Sequence, residues 1–94
     1  MRRGIIPFTM PAQGTVRVLL FARYAEMAGQ DHVTLSVTLP TTVRDVIRRL
    51  REELPGARAL PEHPLTAVNL KQAKLDSPLH DGDEVALLPP LAGG

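Results

Sequence analysis

The sequence predicts a single domain of the α+β class, in which a β-sheet carries one main helix on one of its faces. The chain has 94 residues, 44% of them hydrophobic, which suffices for one core. Several short runs alternate apolar and polar side chains or are rich in β-branched residues, as strands are. Residues 41–56 instead have apolar residues at helical spacing. The predicted order is strand, strand, helix, strand, strand, strand.

The first two strands are predicted to form an antiparallel hairpin. VRVLLFA, residues 16–22, is short and rich in β-branched and aromatic residues, which favours a strand near the core. RYAEMAGQD follows as a helical half-turn that Gly29 ends. HVTLSVTLP, residues 32–40, alternates apolar and polar side chains, which is typical of a half-buried strand.

The main helix is predicted within TTVRDVIRRLREELPG, residues 41–56. Its apolar stripe consists of Val43, Val46, Ile47, Leu50 and Leu54. Thr42 and Asp45 have the spacing of a capping box, and Pro55 with Gly56 ends the helix. Four arginines occupy the rest of its surface: Arg44, Arg48, Arg49 and Arg51. Acidic residues accompany them, so we interpret this surface as a solvated face rather than an anion or nucleic-acid site.

Three more strands are predicted after the helix. ARALPEHP, residues 57–64, is expected to be a loop because of its prolines. LTAVNL and KQAKL, residues 65–75, are the third and fourth strands, and DSPLHDGD is rich in turn residues. The last strand, EVALLPP from Glu84, must end or reach a sheet edge at Pro89, because proline donates no backbone hydrogen bond.

One helix covers only one face of such a sheet, so the other face is expected to be open. Strand alternation places two sets of side chains there: Arg17, Leu19 and Phe21 on the first strand, and Glu84, Ala86 and Leu88 on the last. With Arg17 and Glu84 in solvent, Leu19, Phe21 and Leu88 would form an apolar patch of the kind that marks partner sites. Alternatively, these strands are buried on both faces, which fits the run VLLF equally well.

Composition excludes several classes of protein. There is no cysteine, which removes disulfides, cysteine-rich zinc sites and thiol chemistry. A formal net charge of +1 and an aromatic content of 3% disfavour both disorder and nucleic-acid binding. No apolar run approaches the roughly 20 residues of a membrane span. The start, MRRGIIPFTMPAQGT, is too short and too broken by Pro7 for a signal peptide.

These observations set the expected domain organisation and location. Residues 1–15 are interpreted as an N-terminal leader, expected to be disordered, and residues 16–94 as the domain. The protein is expected in the cytoplasm, without nucleic-acid or membrane partners.

No metal, cofactor or acid–base centre is predicted. His32, His63 and His80 are isolated in the sequence, without metal-ligand spacing. The DGD of residues 81–83 lacks the ligand spacing of a calcium-binding loop. It is interpreted as a turn in which Gly82 has a positive φ. No glycine-rich phosphate loop follows a strand.

The C-terminal LPPLAGG is the remaining candidate for chemistry. Pro89 and Pro90 would stiffen the exit of the tail into an extended conformation. Gly93 and Gly94 have no side chains and so could enter a narrow channel in another protein. Terminal glycines also end many disordered tails, so these residues alone leave both interpretations open.

Two segments together resemble a known family. AVNLKQAKLDSPLHDGDEVALLPPLAGG, residues 67–94, is the main one, and its specific part is DGDEVALLPP joined to a terminal GG. VRVLLFARYAEMAG, residues 16–29, is the other. Both resemble the MoaD-type sulfur carriers of the MoaD/ThiS family, the small subunits of molybdopterin synthase. In one departure, Ala25 stands where that family often has an arginine, and the nearest arginine is Arg23.

The resemblance implies a fold and a chemistry. The fold is the ubiquitin-like β-grasp, a mixed sheet whose open face binds partners, which supports the patch at Phe21 and Leu88. An ATP-dependent adenylating enzyme of ubiquitin-activating type would convert the Gly94 carboxylate into an acyl adenylate. A sulfur donor acting through that enzyme would then give a thiocarboxylate. Gly94 is thus the expected reacting residue.

The resemblance also implies a role for the rest of the tail. Gly93 would give a slim approach to Gly94. The large catalytic subunit of molybdopterin synthase, and separately the adenylating enzyme, would grip the stem: Leu88, Pro89, Pro90, Leu91 and Ala92. The expected function is to supply the dithiolene sulfurs of molybdopterin in molybdenum cofactor biosynthesis, as a non-catalytic, sulfur-donating subunit.

Three alternatives stay open at this point. A related carrier could feed thiamine, cysteine or tRNA thiolation, since these carriers share the fold and the diglycine end. A ubiquitin-like protein modifier would join Gly94 to a lysine of a target. A plain binding module would have a tail without function.

Overall fold

The computed structural model describes residues 12–90, and its elements follow the predicted order with several additions. The helices are α1 (Arg23–Ala28), α2 (Val43–Glu53) and a 3-10 helix (Pro55–Ala59). The strands are β1 (Ala12–Leu20), β2 (His32–Leu39), β3 (Thr41–Thr42), β4 (Leu65–Val68), β5 (Lys71–Ala73), β6 (Pro78–Leu79) and β7 (Glu84–Leu88).

The main sheet is mixed. Its strand order is β2-β1-β7-β4-β5. β7 runs parallel to β1, whereas β1 with β2, β4 with β7 and β4 with β5 are antiparallel. The predicted α+β class, with a mixed sheet and one main helix on one face, is therefore confirmed. β3 and β6 form a separate two-stranded ladder.

The core lies between the sheet and α2. The inward side chains of β1 and β7 are buried, and the apolar stripe of α2 packs into the same cluster. This core includes Val16, Val18, Leu20, Val43, Val46, Ile47, Leu50, Val85 and Leu87. Leu54 is half-buried just beyond the helix. Helix periodicity thus placed the buried face of α2 correctly, because 3.6 residues per turn puts these positions on one side.

The predicted capping box begins α2. The Asp45 backbone N–H donates to Thr42 Oγ1 over 3.3 Å, and the Thr42 backbone N–H donates to Asp45 Oδ2 over 3.2 Å. Two of the N–H groups that a helix start leaves without partners are thereby satisfied.

β1 begins earlier and ends earlier than predicted. Residues 12–15, which the sequence assigned to the leader, form its first part and pair with β2 from Ala12 opposite Leu39 to Thr15 opposite Ser36. The Thr15 backbone N–H also donates to Asp81 Oδ1 over 2.8 Å. These long-range hydrogen bonds stabilise a segment whose side chains show no apolar alternation. Residues 1–11 of the leader lie outside the described residues.

The loop predicted at residues 57–64 is partly helical. The 3-10 helix Pro55–Ala59 buries Ala57, and Leu60 is buried directly after it. Gly56 lies against the backbone of α1: an added Cβ would overlap the Met27 carbonyl group, 2.8 Å from its carbon. Glycine at this position therefore allows α1 and the 3-10 helix to pack at this separation.

Replacing Gly56 by alanine is expected to lower the free energy of unfolding by about 2 kcal/mol, because the two helices must move apart. Urea unfolding followed by circular dichroism measures the change. Gly82→Ala is the matched control: it has open space around the added Cβ and is strained only by its φ of +87°. A Gly56→Ala variant as stable as the wild type would contradict the close packing of α1 on the 3-10 helix.

Candidate functional site

The C-terminal tail leaves from the middle of the sheet. β7 lies between β1 and β4, and Leu88 pairs with Leu65 at the start of β4. Because β1 and β7 are parallel, the end of β1 lies beside the end of β7. β7 ends before Pro89, as predicted, and Pro90 is exposed. The chain therefore exits between the end of β1 and the start of β4.

Apolar side chains surround this exit. We call this surface the exit patch; it consists of Leu19, Phe21, Leu65, Ala86 and Leu88. Phe21 is 43% exposed and Leu65 51% exposed, and the other three are half-buried on the face away from α2. The open-face interpretation is therefore correct, and the alternative of strands buried on both faces is wrong. An exposed apolar cluster of this kind is a common feature of protein interaction sites.

Phe21 lies in the turn after β1, whereas the strand prediction had included it. β1 ends at Leu20, and the Phe21 carbonyl oxygen accepts a hydrogen bond from the Tyr24 backbone N–H over 3.0 Å. Ala22 has a φ of 50°, which is uncommon for a residue with a side chain. This sharp turn directs the chain into α1 while Tyr24 is buried beneath it.

A shallow groove of about 470 Å³ lies beside Phe21. Leu19, Ala25 and His32 are among the residues that line it. Ala25, the departure from the MoaD-type pattern, therefore lies in this groove, and the charged side chains of Arg17 and Asp31 also line it. Arg23 is exposed nearby on α1.

The opposite end of the open face is charged. Arg17 and Glu84 are paired in register on β1 and β7, with Arg17 Nε 3.8 Å from Glu84 Oε2. Arg17 is exposed, as predicted, whereas Glu84 is half-buried. The face therefore changes from polar at the start of β7 to apolar where the tail leaves.

Leu65 belongs to the exit patch but was not predicted to do so. In β4 the polar Thr66 is buried and donates a hydrogen bond from Oγ1 to the Pro64 carbonyl oxygen over 2.9 Å. Leu65 consequently points outward. The alternation in LTAV predicts an outward Leu65 only if the polar Thr66 is assigned to the buried face. Apolar residues are usually the buried ones, so the opposite assignment is the natural choice.

The DGD segment forms a turn. Gly82 has a φ of 87°, as predicted, and Asp83 Oδ2 accepts from the His80 backbone N–H over 2.8 Å. Asn69 Nδ2 donates to Asp83 Oδ1 over 2.9 Å, which ties the β4–β5 turn to the start of β7. Within residues 12–90, no three histidine, aspartate or glutamate side chains come together in a way that could hold a metal ion.

The pKa of the Asp83 carboxyl lies below its ordinary value of 3.8. Partial burial raises this pKa. The hydrogen bonds from Asn69 and His80, together with the nearby His80 ring, lower it by more than burial raises it. Because the pKa is lower in the folded protein, the ionised carboxylate stabilises the fold above pH 3.8. That contribution is lost as the pH falls through the folded-state pKa.

Replacing Asp83 by asparagine is therefore expected to reduce the loss of stability on acidification. Urea midpoints measured at about pH 6 and about pH 3 should differ less for Asp83→Asn than for the wild type, because asparagine takes up no proton in this range. At pH 6 the variant should be the less stable of the two proteins. Equal acid dependence in both proteins would contradict the role assigned to this carboxylate.

Four residues of the predicted site, Leu91, Ala92, Gly93 and Gly94, lie outside the described residues. The predicted residues that the structure describes, Phe21, Leu88, Pro89 and Pro90, are together at the exit. Their roles in partner binding and sulfur transfer stay predictions. In the described part of the chain, no helix has the length and apolarity needed to cross a bilayer.

The sequence is similar to that of known sulfur carrier proteins. The sequence profile described as the ThiS family matches residues 18–94. The molybdopterin synthase sulfur carrier subunit of Escherichia coli is 36% identical over 85 residues, which cover 84% of this chain and 99% of that one. The corresponding human protein is 30% identical over 82 residues, covering 84% of this chain and 93% of that one.

Solved structures share the fold. The small archaeal modifier protein SAMP1 from Haloferax volcanii matches with a TM-score of 0.77 and 32% identity, covering 86% of this chain and 100% of that one. A protein–protein complex of subunits 1 and 2 of the molybdopterin-converting factor from Helicobacter pylori contains a chain that matches with a TM-score of 0.62 and 25% identity. That match covers 85% of this chain and 99% of that one.

Proposed function

This chain belongs to the ThiS family and is a MoaD-type sulfur carrier, and from this premise we propose that it carries its sulfur as a thiocarboxylate on Gly94. A free carboxylate resists nucleophilic attack, so it must first be activated. The Gly94 carboxylate oxygen attacks the α-phosphate of ATP in the adenylating enzyme, and pyrophosphate leaves. A persulfide sulfur then attacks the acyl carbon and AMP leaves. A thiol reduces the resulting acyl disulfide and releases the thiocarboxylate.

The exit of the tail from the central strand of the sheet, beside the apolar end of the open face, is the observation that supports this proposal most strongly. A protein that covers the exit patch necessarily lies where the chain emerges beyond Leu88. Six residues follow Leu88, and in extended form they reach at most about 20 Å. Binding of the patch would thus keep Gly94 within about 20 Å of Leu88, in reach of a pocket in the partner.

The partner that we propose for sulfur transfer is the large catalytic subunit of molybdopterin synthase. The Helicobacter pylori relative forms a complex of subunits 1 and 2. By analogy, the large subunit would bind the exit patch, grip Leu88 to Ala92 and use the Gly94 thiocarboxylate to build the dithiolene of molybdopterin. The adenylating enzyme would use the same patch at another time. Both enzymes are expected in the cytoplasm with this protein.

In this proposal the chain donates sulfur but supplies no catalytic side chain. Its role is to present the reagent. The exit patch provides apolar area for binding, and the two prolines limit the conformations that the tail loses when it is held. Acid–base groups would come from the large subunit.

Protein modification is the second candidate function. It is favoured by the 32% identity to SAMP1 of Haloferax volcanii, a protein named as a modifier. The same activated Gly94 would then be attacked by a lysine amine of a target protein instead of by sulfur. Both functions need the exit patch and the free C-terminus, so the structure of the carrier alone does not separate them.

Reconstitution tests the molybdopterin assignment. The thiocarboxylated protein is mixed with the large subunit and the sulfur-free pterin precursor, and in parallel with a thiazole-forming enzyme and its substrates. Formation of the dithiolene product in the first mixture only is the expected result. Sulfur transfer to thiazole, without dithiolene formation, would show that the chain serves a different branch of the family.

A further inference from the structure

A basic groove lies on the helix side of the sheet, away from the exit patch. It has a volume of about 230 Å³ and is bounded by α2 on one side and by the segment around Glu62 and His63 on the other. Arg44, Arg48 and Arg51 line it. These residues are four and three positions apart on α2, so they form one stripe along the helix. Ile47 and Leu75 provide its apolar part.

The basic surface continues beyond this groove. A neighbouring depression of about 510 Å³ shares Arg48 and Arg51 and adds Arg58 from the 3-10 helix together with Glu52. Arg58 lies outside α2 and is not part of its helical spacing. The tertiary fold brings it beside Arg48 and Arg51. Three of the four arginines that the sequence indicated as a solvated face are thus part of a shaped surface with contributions from two helices. The fourth, Arg49, lines neither depression and pairs with Glu53.

The charges of this surface are only partly compensated within the chain. Arg48 Nη1 lies 3.3 Å from Asp45 Oδ1, and Arg51 Nη1 lies 3.5 Å from Glu62 Oε2. Within residues 12–90, Arg44 and Arg58 have no carboxylate oxygen inside 4.0 Å. Exposed ion pairs contribute little to stability, so an incoming carboxylate could replace Glu62 at small cost.

Arg51 has a further unmet requirement. Its Nε is inaccessible to solvent and has no hydrogen-bond partner in the described part of the chain. Buried N–H donors are nearly always paired in folded proteins. A carboxylate can accept from the Nε and Nη groups of one guanidinium in a bidentate pair. Because this Nε is not accessible in the observed conformation, a carboxylate in the groove would reach the Nη groups of Arg51, and a contact with Nε would require the side chain to rotate.

We propose that this groove is a docking site for an acidic segment of a protein partner. A peptide can place carboxylates along the arginine stripe, an apolar side chain against Ile47 and Leu75, and further acidic residues towards Arg58. A nucleotide fits less well, because small-molecule pockets usually have volumes of about 300–1,000 Å³, whereas this groove has a volume of about 230 Å³.

Such a site would be used independently of the exit patch. α2 and the open face lie on opposite sides of the main sheet, so a protein bound at the groove leaves the tail accessible. The carrier could then be held by one protein while another acts on Gly94. The proposal concerns binding only and does not depend on thiocarboxylate formation.

A titration followed by NMR tests the proposal on the full chain. The ligand is a capped peptide, Glu-Leu-Glu-Glu-Leu-Glu, and its counterpart has glutamine in place of every glutamate. The acidic peptide is expected to shift amide signals of α2 and of residues 62–63 in a saturable way, and the glutamine peptide is not. Inorganic phosphate is titrated in parallel to detect a plain anion site.

Matched variants complete the test. Arg44→Gln combined with Arg51→Gln is expected to weaken binding of the acidic peptide about tenfold, through loss of charge-assisted hydrogen bonds. Lys71→Gln, an exposed cation on β5, should leave the affinity unchanged. Equal weakening by Lys71→Gln, equal binding of the glutamine peptide, or phosphate binding as tight as that of the acidic peptide would each overturn the proposal. Circular dichroism verifies that the variants fold.

Discussion

Adding one alanine after Gly94 is expected to abolish thiocarboxylate formation while the fold and the binding of partners stay intact. The proposed reagent is the terminal carboxylate, and the extra residue moves it by about 3.5 Å. Misplacing a reacting group by about 1 Å can already cost a hundredfold in rate. The added methyl group must also enter a channel suited to glycine. Loss of the thiocarboxylate product is measured by intact mass after incubation with the adenylating enzyme, ATP and a sulfur source.

The control for this variant is the same alanine added before Met1, which gives a protein of equal mass with an unchanged tail. It is expected to react like the wild type. Deleting Gly93 and Gly94 should have the same effect as the extension. If either altered tail still supports molybdopterin formation in the reconstituted synthase, Gly94 does not carry the sulfur.

Introducing charge into the exit patch is expected to weaken binding of the large subunit at least about a hundredfold, as expected for apolar anchors at the centre of an interface. The variant is Phe21→Asp combined with Leu65→Asp. Both side chains are exposed in the free protein, at 43% and 51%, so the fold should tolerate the change. In the complex, each carboxylate would be buried without a partner. Isothermal titration calorimetry measures the affinity.

Leu70→Asp is the matched control for the patch. Leu70 is 91% exposed in the β4–β5 turn, beside the start of β7 and therefore at the opposite end of that strand from the tail. The same chemical change there is expected to leave the affinity for the large subunit unchanged. If Leu70→Asp weakens binding as much as the double variant, the exit patch is not the interface.

Elements with a strong local pattern could be predicted from the sequence. The apolar spacing and capping box of α2 specify the helix without help from distant residues, and the alternation in β2 specifies its buried face. The first part of β1 could not be predicted in this way. Ala12, Gln13 and Gly14 have little strand preference of their own. The hydrogen bonds of this segment come from β2 and from Asp81, which is distant in the sequence.

The candidate site was predictable to a similar degree. Phe21 and Leu88 follow from strand alternation and from the assumption that one helix covers one face. Leu65 was missed because Thr66 takes the buried position in β4, which reverses the usual preference for apolar residues inside. The basic groove depends on Glu62, and the neighbouring depression depends on Arg58; the 3-10 helix and the segment after it bring both residues to the arginine stripe. No periodic pattern in the sequence predicts that these residues lie beside α2.

The most direct test of the proposed thiocarboxylate on Gly94 is the intact mass of the unaltered protein after reaction with its adenylating enzyme, ATP and a persulfide donor. Replacing one carboxylate oxygen by sulfur adds about 16 Da, and we expect this gain on the protein itself, at the C-terminal residue. The thiocarboxylate, and with it the gain in mass, should disappear when the large subunit and the pterin precursor are added. If the protein gains no such mass and is instead found joined to lysines of other proteins, it acts as a modifier and Gly94 does not carry sulfur.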